Sequence, residues 1–110
     1  MNGVNLYIVI PCYNEEEVLP ETSKRMLDLM SRMKSEGLVN NKSRICFVDD
    51  GSSDATWKII DSLAKEHTEI SGIKLAHNAG HQNALLGGLM MIKDHCDCAV
   101  SIDADLQDDI

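Results

Sequence analysis

Short apolar runs alternate along the chain with longer stretches in which apolar residues recur at every third or fourth position. Residues 5–11, Asn-Leu-Tyr-Ile-Val-Ile-Pro, form a continuous apolar run closed by proline, the pattern of a strand buried on both faces. After the polar segment from Tyr13 to Glu17, the residues Val18, Leu19, Met26, Leu27, Leu29, Met30 and Met33 mark one helical stripe, which Gly37 and the Asn40-Asn41 pair terminate. Arg44 to Asp49 predicts a second strand. It runs into Asp50-Gly51-Ser52-Ser53-Asp54, a turn whose Ser53 and Asp54 suit the cap of a helix carrying Trp57, Ile60, Leu63 and Ala64. A third strand from Ile70 to Ala76 precedes the polar loop His77-Asn78-Ala79-Gly80-His81. A helix with Ala84, Leu85, Leu89 and Ile92 follows, then a fourth strand from Cys98 to Ile102. The helical spacing assigns Trp57 and the methionines from Met26 to Met33 to the core.

Strands that alternate with helices need crossover connections, so the economical architecture is α/β, a mostly parallel sheet with helices on both faces. In such sheets ligands bind beyond the carboxyl ends of the strands. Pro11 to Glu15, Asp49 to Asp54, His77 to Gln82 and Asp103 to Gln107 all fall there, so four polar loops converge on one edge. At 110 residues the chain forms one domain, or part of one, spanning 1–110, with no repeat or linker.

Composition removes several classes. A hydrophobic content of 44% supports a real core and argues against disorder. With only four aromatic residues there is no stacking platform for single-stranded nucleic acid, and a net charge of −8 without a basic cluster repels any nucleic acid. Cys12, Cys46, Cys96 and Cys98 form no CxxC pair, so no structural zinc site is expected, and Cys12 and Cys46 are expected to be buried thiols. No apolar run approaches the length of a membrane span and no signal peptide is visible, so a soluble chain in a reducing cytoplasm is expected.

Part of the acidity is bunched, which suits divalent cations. Asp103-Ala104-Asp105 ends an apolar strand, and two carboxylates so placed can aim at one hard cation while leaving positions open for phosphate oxygens; they can equally be a solvated turn. Asp49 and Asp50 supply acceptors at the next strand end, beside a helix start whose free amides suit a hydrogen-bonding ligand. His67, His77 and His95 are expected to be solvated, while His81 is open to either a surface or a ligand role.

Three spaced segments carry a resemblance. Ile8-Val9-Ile10-Pro11-Cys12-Tyr13-Asn14-Glu15, Val48-Asp49-Asp50-Gly51-Ser52-Ser53-Asp54 and Asp103-Ala104-Asp105-Leu106-Gln107-Asp108 resemble, in that order, the signature of family 2 glycosyltransferases. Residues 78–89 together with Asp105-Leu106-Gln107-Asp108 are similar to the polyprenyl-phosphate sugar synthases, which include dolichyl-phosphate mannose synthase and the bactoprenol glucosyltransferases. The resemblance implies a Rossmann-like GT-A fold that binds a nucleotide sugar, truncated here. It implies that Pro11, Tyr13 and Glu15 line the base and ribose pocket and that Asp50 or Asp49 accepts a hydrogen bond from uracil or guanine. It further implies that Asp105 binds Mg2+ or Mn2+ on the diphosphate, that Asp103 supports the ribose or the metal, and that His81 stands near the diphosphate where relatives often carry a basic residue.

The expected activity is hexose transfer from a UDP or GDP donor to a polyprenyl-phosphate or saccharide acceptor, at the cytoplasmic membrane face in the whole protein. The catalytic base and the acceptor groove are expected beyond Ile110, so the chain alone is expected to turn over little or not at all. Membrane contact is expected only through such downstream segments, and an unpaired edge at the fourth strand invites homo-oligomers. The competing reading is a noncatalytic nucleotide-binding or assembly fragment. A receiver or dehalogenase-like phosphatase would need a nucleophilic Asp after the first strand, where Pro11-Cys12-Tyr13 stands, and a dinucleotide-binding domain would need a G-x-G-x-x-G there.

Overall fold

The computed structural model describes residues 3–78 and 80–104, apart from the side chain of His81. Four strands and three helices alternate: β1 (Leu6–Cys12), α1 (Leu19–Ser35), β2 (Arg44–Asp49), α2 (Thr56–Glu66), β3 (Ile70–Lys74), α3 (His81–Ile92) and β4 (Cys98–Ser101). All pairings are parallel and the strand order is β3-β2-β1-β4. Each predicted element is present, with β3 ending at Lys74 rather than Ala76 and β4 at Ser101 rather than Ile102.

The alternation of side chains along a strand divides each continuous apolar run between two cores. Ile8, Ile10 and Cys12 of β1 join Ile45 and Phe47 of β2 on one face, under Leu19, Met26 and Met30 of α1 and Ile60 of α2. Val9, Cys46 and Val48 point the other way, against Ala84 and Ile92 of α3. Helices therefore cover both faces, as the buried runs require. The methionine stripe and Trp57 pack on the first core as expected, with the Lys74 ammonium 5.8 Å from the Trp57 ring centre. Pro20 in the first turn of α1 loses no hydrogen bond there, since the first helical amides have no partner inside the helix.

Helix α3 lies close on the sheet because Gly88 has no side chain: a Cβ there would sit 2.7 Å from Val48 Cγ2. Its other side is also apolar, with Leu86, Met90 and Met91 exposed. The described strands end at β4, whose Val100 is exposed on the outer edge of the sheet. Among the described residues no helix is long and apolar enough to cross a membrane.

Phe47 is the largest fully buried side chain. Replacing it with alanine leaves a cavity under α1 and α2 and is expected to cost about 3–5 kcal/mol in equilibrium urea denaturation. A cost under roughly 1 kcal/mol would mean that the two faces do not pack as described.

Candidate active site

The strand ends are level because the parallel registers make them so. Cys12 pairs with Asp49 across β1 and β2, the Asp50 amide donates to the Cys12 carbonyl at 2.8 Å, and the Leu75 amide donates to the Asp49 carbonyl at 2.9 Å. On the other side of β1 the Ile102 amide donates to the Val9 carbonyl at 3.1 Å, which carries β4 pairing one residue beyond the strand. A cleft of about 440 Å³ opens at this edge. Pro11, Tyr13 and Glu15 line it from the β1 loop, Asp50 from the β2 loop, Asn78 and Gly80 from the β3 loop, and Asp103 and Ala104 from the end of β4. The order in which strands are added reverses at β1, with β2 and β3 on one side and β4 on the other, so the cleft stands at the switch point where an open parallel sheet leaves room for a ligand.

The loops after β1 and β2 are laced together. Asn14 adopts φ +53°, a left-handed conformation that asparagine tolerates, and its amide donates to Ser52 Oγ at 2.9 Å while its own Oδ1 accepts from the Ser53 amide at 2.9 Å. The Glu15 amide donates to Thr56 Oγ1 at 2.8 Å, and Glu16 Oε1 accepts from the Ala55 amide at 2.8 Å. The expected capping role falls to Asp54 from one residue before the formal cap, Ala55: Asp54 Oδ1 accepts from the amide and the hydroxyl of Thr56. Ser53 takes no part in it and bonds Asn14 instead. Partial burial pushes the Asp54 carboxyl up, but the hydrogen bonds from Thr56 and the Glu16 amide outweigh it and hold the group below the usual carboxylate range.

The two adjacent aspartates have different surroundings. Asp50 lies in the cleft wall, 3% exposed, with Oδ2 accepting from the Gly80 amide at 3.1 Å. Asp49 does not line the cleft. It is fully buried beneath the turn, where Oδ1 accepts from the Ser52 amide at 3.2 Å and Oδ2 has no hydrogen-bond partner among the described residues. Gly51 lets the β2 and β3 loops touch: at φ +73° a Cβ would lie 2.5 Å from the Asn78 nitrogen and 2.7 Å from the His77 carbonyl carbon. Gly80, also at the cleft, has a φ of +91° that favours glycine, and Asn78 Oδ1 shares its amide at 3.1 Å.

Asp103 is exposed at the cleft while Ala104 behind it is buried. Asp105 and the His81 side chain, both expected at the diphosphate, lie outside the described residues. His77 and His95 are exposed as expected, and His67, half-buried, ends α2. Asp103, the described aspartate of the expected metal motif, brings a carboxylate to the cleft, a donor that suits a hard cation such as Mg2+ or Mn2+. Among the described residues no three acidic, histidine or cysteine side chains are grouped closely enough to form a metal site.

Cys12, Cys46, Cys96 and Cys98 are all free thiols, and Cys12 and Cys46 are buried as expected. Burial, then the charges of Glu15 and Asp49, drive Cys12 far above the ordinary thiol range, so this cleft-wall residue is no nucleophile. Sequence reasoning did not single out Asn78 or Gly80 as site residues. The signal for them was the Asn-x-Gly spacing directly after a strand, a turn in which the asparagine oxygen can accept the glycine amide.

A single open parallel sheet with a cleft at its switch point defines an α/β domain of the kind that binds ligands beyond its strand ends. The profile of Glycosyl transferase family 2 matches residues 7–110, and the chain belongs to that family. It is 50% identical over 105 residues to the uncharacterized glycosyltransferase YkoT of Bacillus subtilis, a match covering 96% of this chain and 31% of that protein. It is 35% identical over 109 residues to a prophage bactoprenol glucosyl transferase homolog of Escherichia coli, covering 97% and 32% respectively. The chain thus spans about a third of the length of these curated relatives. In fold it is similar to the mannosyltransferase PcManGT from Pyrobaculum calidifontis, solved in complex with GDP-Man and Mn2+, with a TM-score of 0.74 at 22% identity over 94% of this chain and 28% of that one. The GT-A architecture is therefore that of this chain.

Gly51→Ala forces a side chain into the His77-Asn78 backbone at an unfavourable φ and is expected to cost about 2–4 kcal/mol in urea denaturation. A cost near zero would show that the β3 loop is not held against the turn. The lowered Asp54 value gives a second outcome. A carboxyl held below its unfolded value stabilises the fold above the unfolded value, and that contribution is lost as pH falls through the folded one. The stability gap between the wild-type chain and Asp54→Asn should therefore narrow as pH falls below about 5, through the unfolded carboxyl value of about 4 and on through the lower folded one. A constant gap would contradict the capping role.

Proposed function

We propose that the cleft is the donor site of a glycosyltransferase that takes a UDP- or GDP-hexose. In the whole protein the sugar passes to a polyprenyl phosphate at the cytoplasmic face of the membrane. The observation that carries this reading is the convergence of Pro11, Tyr13, Glu15, Asp50 and Asp103 on one cleft at the sheet's switch point. The name of the bactoprenol glucosyl transferase homolog supports the lipid acceptor, and four free thiols agree with a reducing compartment.

In this reading Pro11 and Tyr13 give the base and ribose an apolar and aromatic wall, and Glu15 faces the ribose hydroxyls. Asp50, held by the Gly80 amide, offers carboxylate oxygen to the imide N–H of uracil or the N–H groups of guanine. Asp49 acts from behind by bracing the turn through the Ser52 amide. Asp103 and Asp105 hold Mg2+ or Mn2+ on the diphosphate, with His81 beside it. When bound, the cation neutralises charge developing on the departing nucleoside diphosphate. A phosphate acceptor is already anionic at neutral pH and brings its own nucleophilic oxygen, so the residues of this cleft need supply no base toward it.

Calorimetric titration of the chain with UDP and with GDP, each with and without Mn2+, tests the reading. Binding is expected to be weak without the metal and to tighten with it, to favour one base, and to weaken about tenfold or more in Asp103→Ala and Asp105→Ala, since each removes a charged ligand. A folded chain that binds neither nucleotide would refute the donor site.

A further inference from the structure

We propose that Thr22 of α1 is a positioning residue for Asp103, its hydroxyl clamping the Ala104 carbonyl so that the Asp103 carboxylate meets a cation from a fixed direction. The metal part of this role rests on the donor-site reading above. Thr22 Oγ1 donates to the Ala104 carbonyl oxygen at 2.5 Å, across 82 residues of chain, and both residues are buried.

A threonine inside a helix commonly returns its hydroxyl to the carbonyl four residues back. Here the Val18 carbonyl takes the Thr22 amide at 2.9 Å, and the hydroxyl leaves the helix for Ala104. The neighbouring Ser23 makes the local choice, donating to Pro20 of its own helix at 3.0 Å. Two adjacent buried hydroxyls on α1 thus do different work, and only that of Thr22 reaches the candidate metal motif. Branching at Cβ restricts the threonine rotamer in a helix, which makes the clamp stiff.

The second anchor is the Ile102 amide on the Val9 carbonyl at 3.1 Å. Asp103 therefore projects into the cleft from a segment tied on both sides, to the central strand before it and to α1 after it. A neutral hydroxyl achieves this without placing positive charge beside a cation site, as a lysine or arginine clamp would.

The test uses Thr22→Val, which keeps the shape and removes the donor, Thr22→Ser, which keeps the donor, and Ser23→Ala as a control for losing a buried hydroxyl from the same helix. Each chain is titrated with UDP and GDP with and without Mn2+, and deuterium exchange is followed at the amides of Asp103 and Ala104, all well below the melting midpoint. Thr22→Val is expected to weaken the Mn2+-dependent part of nucleotide binding about tenfold, to leave metal-free binding unchanged and to speed exchange at the turn. Thr22→Ser should restore both readouts, and Ser23→Ala should lower the melting midpoint without moving either. Equal weakening with and without Mn2+, or wild-type behaviour of Thr22→Val, overturns the proposal. If wild-type binding ignores Mn2+, the metal reading of the site fails on its own account; the clamp is then decided by exchange, and equal exchange in Thr22→Val and the wild type overturns it.

Discussion

Strand β1 is paired along both edges, to β2 through Tyr7 to Cys12 and to β4 through Leu6 to Val9. Everything at the cleft depends on that double pairing. Parallel ladders fix where each neighbour ends relative to β1, and a slip of one residue would turn Ile8 and Ile10 out of one core and Val9 out of the other. Such a slip would also turn Asp49 toward the cleft and Asp50 away from it. Both cores therefore guard the register that presents Asp50, Tyr13 and Asp103 to a common space.

The fold was legible because its signals were redundant. Four apolar runs, each too short for a helix, alternated with stripes at helical spacing, and parallel crossovers followed from their order. The convergence of Pro11, Tyr13, Glu15, Asp50 and Asp103 was legible for the same reason, since strand ends in such sheets share an edge. What could not be read was the difference between Asp49 and Asp50, because adjacent residues at a strand exit point to opposite sides and the sequence does not say where the pleat stops. The bond from Thr22 to Ala104 was equally hidden: it joins residues 82 apart, and a helical threonine carries no mark of where its hydroxyl goes.

Charge has a double part in this molecule. A net charge of −8 opposes compaction, and carboxylates on the cleft walls add repulsion at one edge of the sheet. The structure contains this cost by giving several carboxylates amide or hydroxyl donors: Ser52 for Asp49, Gly80 for Asp50 and Thr56 for Asp54. Donors of that kind stabilise the anion without cancelling the local negative potential, which remains available to a cation.

The contact between Gly51 and the Asn78 backbone bears on entropy as well as on shape. Two loops free to move separately would each lose conformational freedom when a ligand settled between them and the β1 loop. Because Gly51 lets them meet at backbone distance, with Asn78 and Asp50 both holding the Gly80 amide, much of that ordering is complete before any ligand arrives. The wall of the cleft behaves as one body, and the cost of immobilising it is borne by folding rather than subtracted from affinity.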